Sequence, residues 1–325
     1  MLKTQQMEKN TNTPGMIRIA ICIALVISYS ITGSAQTGKT NQAHVGIIYP
    51  LSTNGRTAPA DTNNLSLHLI AGVSQQENAC LIAGVSGMVK GNARGIMVSG
   101  VSNHVGGNAR GAQLAGLINI TGQAEGFQAA GLINKSGDAH SQVAGLVNIA
   151  RRVKGVQVAG LINIAEQSDY PIGLLNIIEE GELSLGITVD ETGGSMLALR
   201  SGGNVLYGIL GLGYHMGYRE ARYQLEGGIG ANLITASTFR MRGELTSAAM
   251  TNFEEGVYGK QSLRVLGGWH ISPFVELFAG PTFNHLLFNA DQTDVRNGSY
   301  LWQSHGEDVF NGFYFGGIVG LQFSL

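Results

Sequence analysis

Apolar and polar positions alternate along most of the chain, most sharply after Glu191. Tyr223, Leu225, Gly227, Ile229, Ala231 and Leu233 share one face of a segment. Gln224, Glu226, Gly228, Gly230 and Asn232 form its other face. In the next segment Phe239, Met241, Gly243 and Leu245 oppose Arg240, Arg242, Glu244 and Thr246. Leu263, Val265, Gly267, Trp269 and Ile271 then oppose Arg264, Gly268 and His270. Val275, Leu277, Ala279, Pro281 and Phe283 oppose Glu276, Thr282 and Asn284. The last segment carries Phe313, Phe315, Gly317, Val319, Leu321, Phe323 and Leu325 on one side. A period of two places successive side chains on opposite faces of a β-strand. Strands of about 10 residues, apolar on one face and polar on the other, suit a transmembrane barrel. A sandwich in water shows the same alternation, so the connections carry more weight. Read back from the C-terminus, residues 289–311 are long and polar and Ser272 to Phe274 is tight. Residues 251–260 are long, Thr235 to Thr238 short, 217–222 medium and Gly202 to Asn204 short. Long external loops alternating with short periplasmic turns are a feature of bacterial barrels.

The first half repeats itself. Its clearest copies are Gly111-Ala-Gln-Leu-Ala-Gly-Leu-Ile-Asn119, Gly126-Phe-Gln-Ala-Ala-Gly-Leu-Ile-Asn134, His140-Ser-Gln-Val-Ala-Gly-Leu-Val-Asn148 and Gly155-Val-Gln-Val-Ala-Gly-Leu-Ile-Asn163. Weaker copies surround Gly72, Gly84, Gly100 and Gly173, and the central glycines from Gly100 to Gly173 recur every 13 to 16 residues. That period is too short for helical repeats. Read with period two, Val156, Val158, Gly160, Ile162 and Ile164 point one way and Gln157, Ala159, Leu161, Asn163 and Ala165 the other. Charges fall between the strand cores, at Arg110, Glu125, Lys135, Asp138, Arg151, Arg152, Lys154, Glu166 and Asp169 among others. The connecting pieces are rich in Gly, Asn and Asp, as turns require. Early copies carry Ser74, Ser86 and Ser102 where later ones have Ile or Val, which weakens the apolar face there.

The unit Gly-x-Gln-x-Ala-Gly-Leu-x-Asn resembles the surface-repeat proteins of Gram-negative bacteria and spirochaetes. The resemblance implies an envelope location and carries over no catalytic residue. The final strand resembles the aromatic C-terminal signature of outer-membrane barrels. That implies the barrel-assembly machinery and outer-membrane lipid as partners.

Composition narrows the classes. The 325 residues include 48 glycines, only 13% are charged, and the formal net charge is −2. So few charges with so much apolar content exclude a disordered chain. Glycine has no three-residue period, which excludes collagen, and it is too frequent for a helical bundle. A nucleic-acid binder would show a basic stripe. Met16, Ile17 and Arg18 precede an apolar run from Ile19 to Ile31 and the small residues Gly33, Ser34 and Ala35, the pattern of a secretory signal. Residues 1–35 are therefore expected to be a signal peptide, followed by a short mature segment at 36–43. Cys80 is then the one cysteine of the mature chain, and an intramolecular disulfide is excluded.

Candidate chemistry is sparse. Gly33-Ser-Ala-Gln-Thr-Gly38-Lys39-Thr40 matches the phosphate-loop pattern, but a strand-like run, Val45-Gly-Ile-Ile-Tyr-Pro50, follows it instead of the helix the chemistry needs. The eight histidines show no clustered metal spacing. His270 and His285 fall on late strands, and His305 lies in the long loop near Glu307 and Asp308, positions read as rim or loop residues. No catalytic, cofactor or metal residue is assigned.

The pattern predicts an all-β fold: an antiparallel meander closed as a transmembrane β-barrel over residues 44–325, with roughly 16–18 strands. Its first half is the strand–turn repeats at 65–180, and its second the non-repeat strands at 191–325. Such a chain is expected to be a non-enzymatic outer-membrane protein. It is either a passive pore for small solutes or a structural envelope component. Glu226, Arg240, Arg242, Glu244, Arg264 and Glu276 are read first as an ion-pair network inside the barrel, and second as a selective pore wall. The alternative architecture is a surface-exposed β-solenoid at 65–180, for adhesion or assembly, joined to a smaller C-terminal barrel. The barrel exposes Val156, Val158, Ile162 and Ile164 and hides Gln157 and Asn163, and the solenoid is expected to do the reverse.

Overall fold

The computed structural model describes residues 38–325, except 218, 255–256, 290, 297 and 307. The expected signal segment lies outside the described residues, as does most of the phosphate-loop match. Thr40, the last letter of that match, opens a strand and not a helix. The described chain is β throughout apart from one short 3₁₀ helix, Gly55–Ala60.

From Thr40 to Ile178 the strands are almost all parallel. Each repeat is one coil of a two-sided β-solenoid. Arg152–Ala159 lies on one side, pairing with Asp138–Ala144 before it and Gln167–Ile172 after it. Ile162–Ala165 lies on the other, between Val147–Ile149 and Leu175–Ile178. The bend between the two sides falls at Gly160-Leu161. Sequence periodicity read that point as mid-strand. The glycine there is a packing requirement: a Cβ on Gly131 would sit 2.1 Å from the carbonyl oxygen of Gly116, one on Gly145 2.1 Å from that of Gly131, and one on Gly160 2.2 Å from that of Gly145. No side chain fits in that column, so the repeat keeps glycine at every bend.

Parallel stacking with a near-constant period sets like residues above like. Asn103, Asn119, Asn134, Asn148, Asn163 and Asn176 form one buried column, and Gln113, Gln128, Gln142 and Gln157 another. Each asparagine Nδ2 donates to the Oδ1 of the next rung: 2.9 Å from Asn119 to Asn134, 3.0 Å from Asn134 to Asn148, 3.0 Å from Asn148 to Asn163 and 2.8 Å from Asn163 to Asn176. The same nitrogen also donates across the coil, from Asn134 to the Val143 carbonyl at 2.7 Å and from Asn148 to the Val158 carbonyl at 2.6 Å. The glutamines run the other way, with Gln142 donating to Gln128 at 2.9 Å and Gln157 to Gln142 at 3.1 Å. This column stops where Pro171 pairs with Gln157. Buried amides are tolerated because nearly all their donors are used.

The early coils bury Leu81, Val89, Met97 and Val105, but in the later coils amides and alanines fill most of the interior and most of the larger apolar residues turn out. Val156 is 41% exposed and Gln157 0%. Ile164 is likewise exposed, while Val158 and Ile162 are half-buried. In these later repeats the polarity expected of a solenoid is inverted: the apolar faces and the Leu146 and Leu161 bends look outward. Charges collect along the opposite edge, where Arg151 and Arg152 pair with Asp138, both at 2.9 Å.

After Gly181 the sheet becomes antiparallel. Eight strands, Glu182–Asp190, Gly194–Gly202, Leu206–His215, Tyr223–Thr235, Phe239–Thr251, Val257–Ser272, Val275–Asn289 and Val309–Ser324, pair in sequence order, and the last closes on the first. The expected all-β fold and closed antiparallel barrel are thus present, with two corrections. The barrel has eight strands, not 16–18, and residues 65–180 are parallel solenoid, not barrel wall. The reason is the Asn and Gln columns. An antiparallel meander cannot set identical residues of successive repeats side by side, whereas a coil of one repeat does so at every rung.

Two substitutions, each with a control, test this packing in the purified, folded protein. Gly131→Ala should lower the stability of the solenoid by about 2 kcal/mol or more in urea unfolding, whereas Gly227→Ala, whose Cβ meets nothing within 4 Å, should leave it unchanged. Asn148→Ala leaves the Asn134 amide and the Val158 carbonyl short of a partner in a dry interior. It should cost about 2–4 kcal/mol, and the outward Val147→Ala clearly less.

Candidate membrane interface

The barrel has an apolar wall around a lumen that is charged in one part and aromatic in the other. Leu212, Leu225, Ile229, Leu245, Leu263 and Val265 are exposed on the outside. Aromatic residues mark both ends of this wall. Tyr214, Tyr223 and Phe253 contact one another at the long-loop end, with ring centroids 5.8 and 5.5 Å apart. Phe239 and Trp269 meet edge to face at 5.3 Å near the short turns. An apolar band between two aromatic girdles is how barrels meet a bilayer, because the amphipathic rings sit at its two interfaces.

Every charged residue that the alternation placed on the second face of these strands points inward, and all of them are paired. Arg200 Nε donates to Glu244 Oε1 at 2.8 Å, and the Tyr207 hydroxyl reaches the same oxygen at 3.1 Å. Arg264 holds Glu226 with both guanidinium nitrogens. Arg242 donates to Glu276 at 2.6 Å and to Gln322 at 2.7 Å. Arg240 reaches Glu182 at 2.7 Å, and Gln322 Nε2 closes the ring onto Glu182 at 2.8 Å. Arg200 and Arg242 also flank the Phe278 ring, 5.0 and 4.9 Å from its centroid. The six residues picked from sequence are therefore brought together as one ion-pair network. Glu182, Arg200, Tyr207, Phe278 and Gln322 complete it. The Met196, Ala198, Arg200 alternation was the available signal for the second of these.

Above the network the lumen is apolar. Tyr258, Leu286, Phe288, Phe310 and Tyr314 pack together there, with Val295 of the long loop over them. Glu220, in the loop before the fourth strand, accepts from the Tyr258 hydroxyl at 2.7 Å and from the Thr293 amide at 3.1 Å. These bonds hold its carboxyl below the usual carboxylate range and tie two external loops across the barrel mouth. An eight-stranded barrel is just wide enough for side chains to fill it, and the interior described here is filled by salt bridges below and aromatic packing above.

Of the scattered histidines, His44 and His68 meet edge to face inside the solenoid, ring centroids 4.5 Å apart, while the three late ones stay apart. His270 faces Glu276 at 3.3 Å, while His285 lies on the wall, stacked on Phe313 and bonded to Gln261. His305 stays on the external segment against Phe310. No group of three or more His, Cys, Asp or Glu that would hold a metal ion occurs among the described residues. Cys80 is half-buried on the outer face of the solenoid.

Removing one partner from the network should be costly, because it strands a charge in a water-poor interior. Arg200→Leu should destabilise the barrel by about 3–5 kcal/mol, and the Arg200→Leu/Glu244→Leu pair should recover most of that loss. Urea unfolding followed by the fluorescence of Trp269 and Trp302 measures both.

No family model matches the chain, and no curated protein does. Among solved structures, the crystal structure of Neisserial surface protein A (NspA) is similar, at a TM-score of 0.25 and 12% identity, over 44% of this chain and 94% of that one.

Proposed function

We propose that the protein is a structural, non-enzymatic component of the outer membrane of a Gram-negative bacterium. It would be exported by its N-terminal signal, inserted through its aromatic C-terminal strand, and would conduct little or nothing through its barrel. The observation that carries the reading is the contrast between wall and lumen. An apolar wall bounded by aromatic residues suits lipid. The Arg200–Glu244, Arg264–Glu226 and Arg242–Glu276 pairs occupy the space a solute would need. Of the two roles the sequence left open, the filled lumen favours structural component over passive pore. In a closed barrel the strands have no free edge, and every strand can satisfy its backbone within the bilayer.

Two measurements test the reading together. The full-length protein should fractionate with outer membranes and shift on a gel after boiling. Reconstituted in a planar bilayer, it should show no unitary conductance steps. Discrete, reproducible steps would show an open path through the lumen, and recovery as a soluble periplasmic protein would exclude the membrane reading altogether.

A further inference from the structure

The solenoid exposes Phe127, Val143 and Val156 on one side, Ile164 and Ile177 on the other, and Leu146 and Leu161 at its bends, an apolar surface of the kind that marks an interaction site. One partner protein seated on one side would leave the other side and the bends uncovered. We propose that the occupant is lipid: the solenoid is a wing of the barrel, sunk into the single leaflet on the short-turn side of the membrane, with its Leu146 and Leu161 bends toward the bilayer centre and its charged edge among the headgroups. The inference rests on the reading of the barrel as membrane-spanning.

Three observations set the depth. First, the last coil docks on the outside of the barrel wall. The Asn176 amide donates to Ser201 Oγ at 3.1 Å and its Nδ2 to the Ser201 carbonyl at 3.1 Å. Ser201 is on the outward face and is buried only because the solenoid covers it. The apolar surface of the solenoid is therefore continuous with the wall that lipid covers.

Second, the two surfaces are in register. A Cβ on Gly203, in the short turn, would meet the Ser168 carbonyl, at the charged edge of the coil. One on Gly208, five residues up the wall, would meet the Gly173 carbonyl, at the apolar bend five residues on. The charged edge thus lies level with the short turns, and the bend lies partway up the apolar wall. The apolar stretch from Val156 to Leu161 at the bend is about 16 Å long at roughly 3.3 Å per residue. That matches half of a hydrocarbon core of about 30 Å.

Third, the last coil and the bend-side edge of the first strand, which would lie in lipid, are covered. At the inner end, the barrel wall covers the last coil. At the outer end, Leu51–Ser52 pairs with the bend-side half of Thr40–Ile48, and Thr53 exchanges hydrogen bonds with Val45 at 2.8 and 3.1 Å. Open sheet edges do not occur in hydrocarbon, because no water is there to satisfy them. The amide columns serve the same end, keeping the polar groups of the coils paired inside.

The test uses full-length protein with Cys22 and Cys80 replaced by Ser, refolded into phosphatidylcholine vesicles, with heat-modifiability as the check on folding. Single cysteines at Leu146→Cys (bend), Arg152→Cys (charged edge) and Leu225→Cys (barrel wall) carry an environment-sensitive fluorophore. Quenching is compared between lipids bearing a nitroxide near the headgroup, lipids bearing one deep in the chain, and aqueous iodide. The proposal expects the label at 146 to lose more fluorescence to the deep nitroxide than to the shallow one and little to iodide, with the label at 152 showing the reverse. Iodide quenching at 146 with lipid quenching retained at 225 overturns the proposal and leaves the barrel reading standing. Lipid quenching absent at both 146 and 225 overturns both. A label at 146 that reaches lipid only in heat-unfolded samples also overturns the proposal.

Discussion

The amide columns are the constraint from which the first half of the structure follows. An asparagine at one point of every coil can bond its neighbours only if consecutive coils are parallel, in register and nearly equal in length. The donors of Asn119, Asn134, Asn148 and Asn163 are each used twice, once along the column and once across the coil. Chains of this kind polarise one another and penalise any slipped register, because a slip leaves buried amides unpaired. In the later coils amides and alanines fill most of the interior, with Val153 and Ile178 beside them. The glycine bends let consecutive coils stack closely, and most of the larger apolar residues there are turned outward.

The barrel applies the same rule with different groups. One part of its interior is charged and paired by guanidinium–carboxylate contacts in place of amides, the other is aromatic, and its exterior is apolar. Buried ion pairs contribute less net stability than their short distances suggest, because both ions lose hydration. Their effect here is on uniqueness: Arg200, Arg242 and Arg264 each have one arrangement of carboxylates that satisfies them. The two halves meet where Asn176, the last rung of the column, bonds Ser201 on the barrel wall. On both sides of that junction buried polar groups pair with one another and the outer faces are largely apolar, while apolar clusters fill the first coils and the upper lumen.

The strands after Glu191 were legible in the sequence because antiparallel barrel strands keep a strict period of two and every charged residue on one face betrays its direction. Tyr223–Thr235 and Val275–Asn289 fall where the alternation put them. The ion-pair network was legible for the same reason. Its pairings were not, since Arg200 and Glu244 are brought together by barrel closure and lie far apart in the chain. In the repeats, period two correctly separated Gln157 and Asn163 from Val156 and Ile164. It did not show that Gly160 is a bend, because a glycine between alternating residues looks like strand interior. That single point decided between barrel wall and solenoid. Which side faced inward was also hidden: a solenoid is ordinarily assumed to bury its aliphatic residues, and only the column geometry makes buried amides the better interior.

The central claim, that the later repeats of the solenoid bury their amides and expose their aliphatic residues, is tested most directly at two adjacent residues. In a background lacking Cys22 and Cys80, Val156→Cys and Gln157→Cys are exposed in turn to a small thiol reagent in the folded, detergent-solubilised protein. The account predicts rapid labelling at 156 and protection at 157 until the protein is denatured. Rapid labelling at 157 with protection at 156 would contradict it, and would return the solenoid to a conventional aliphatic core.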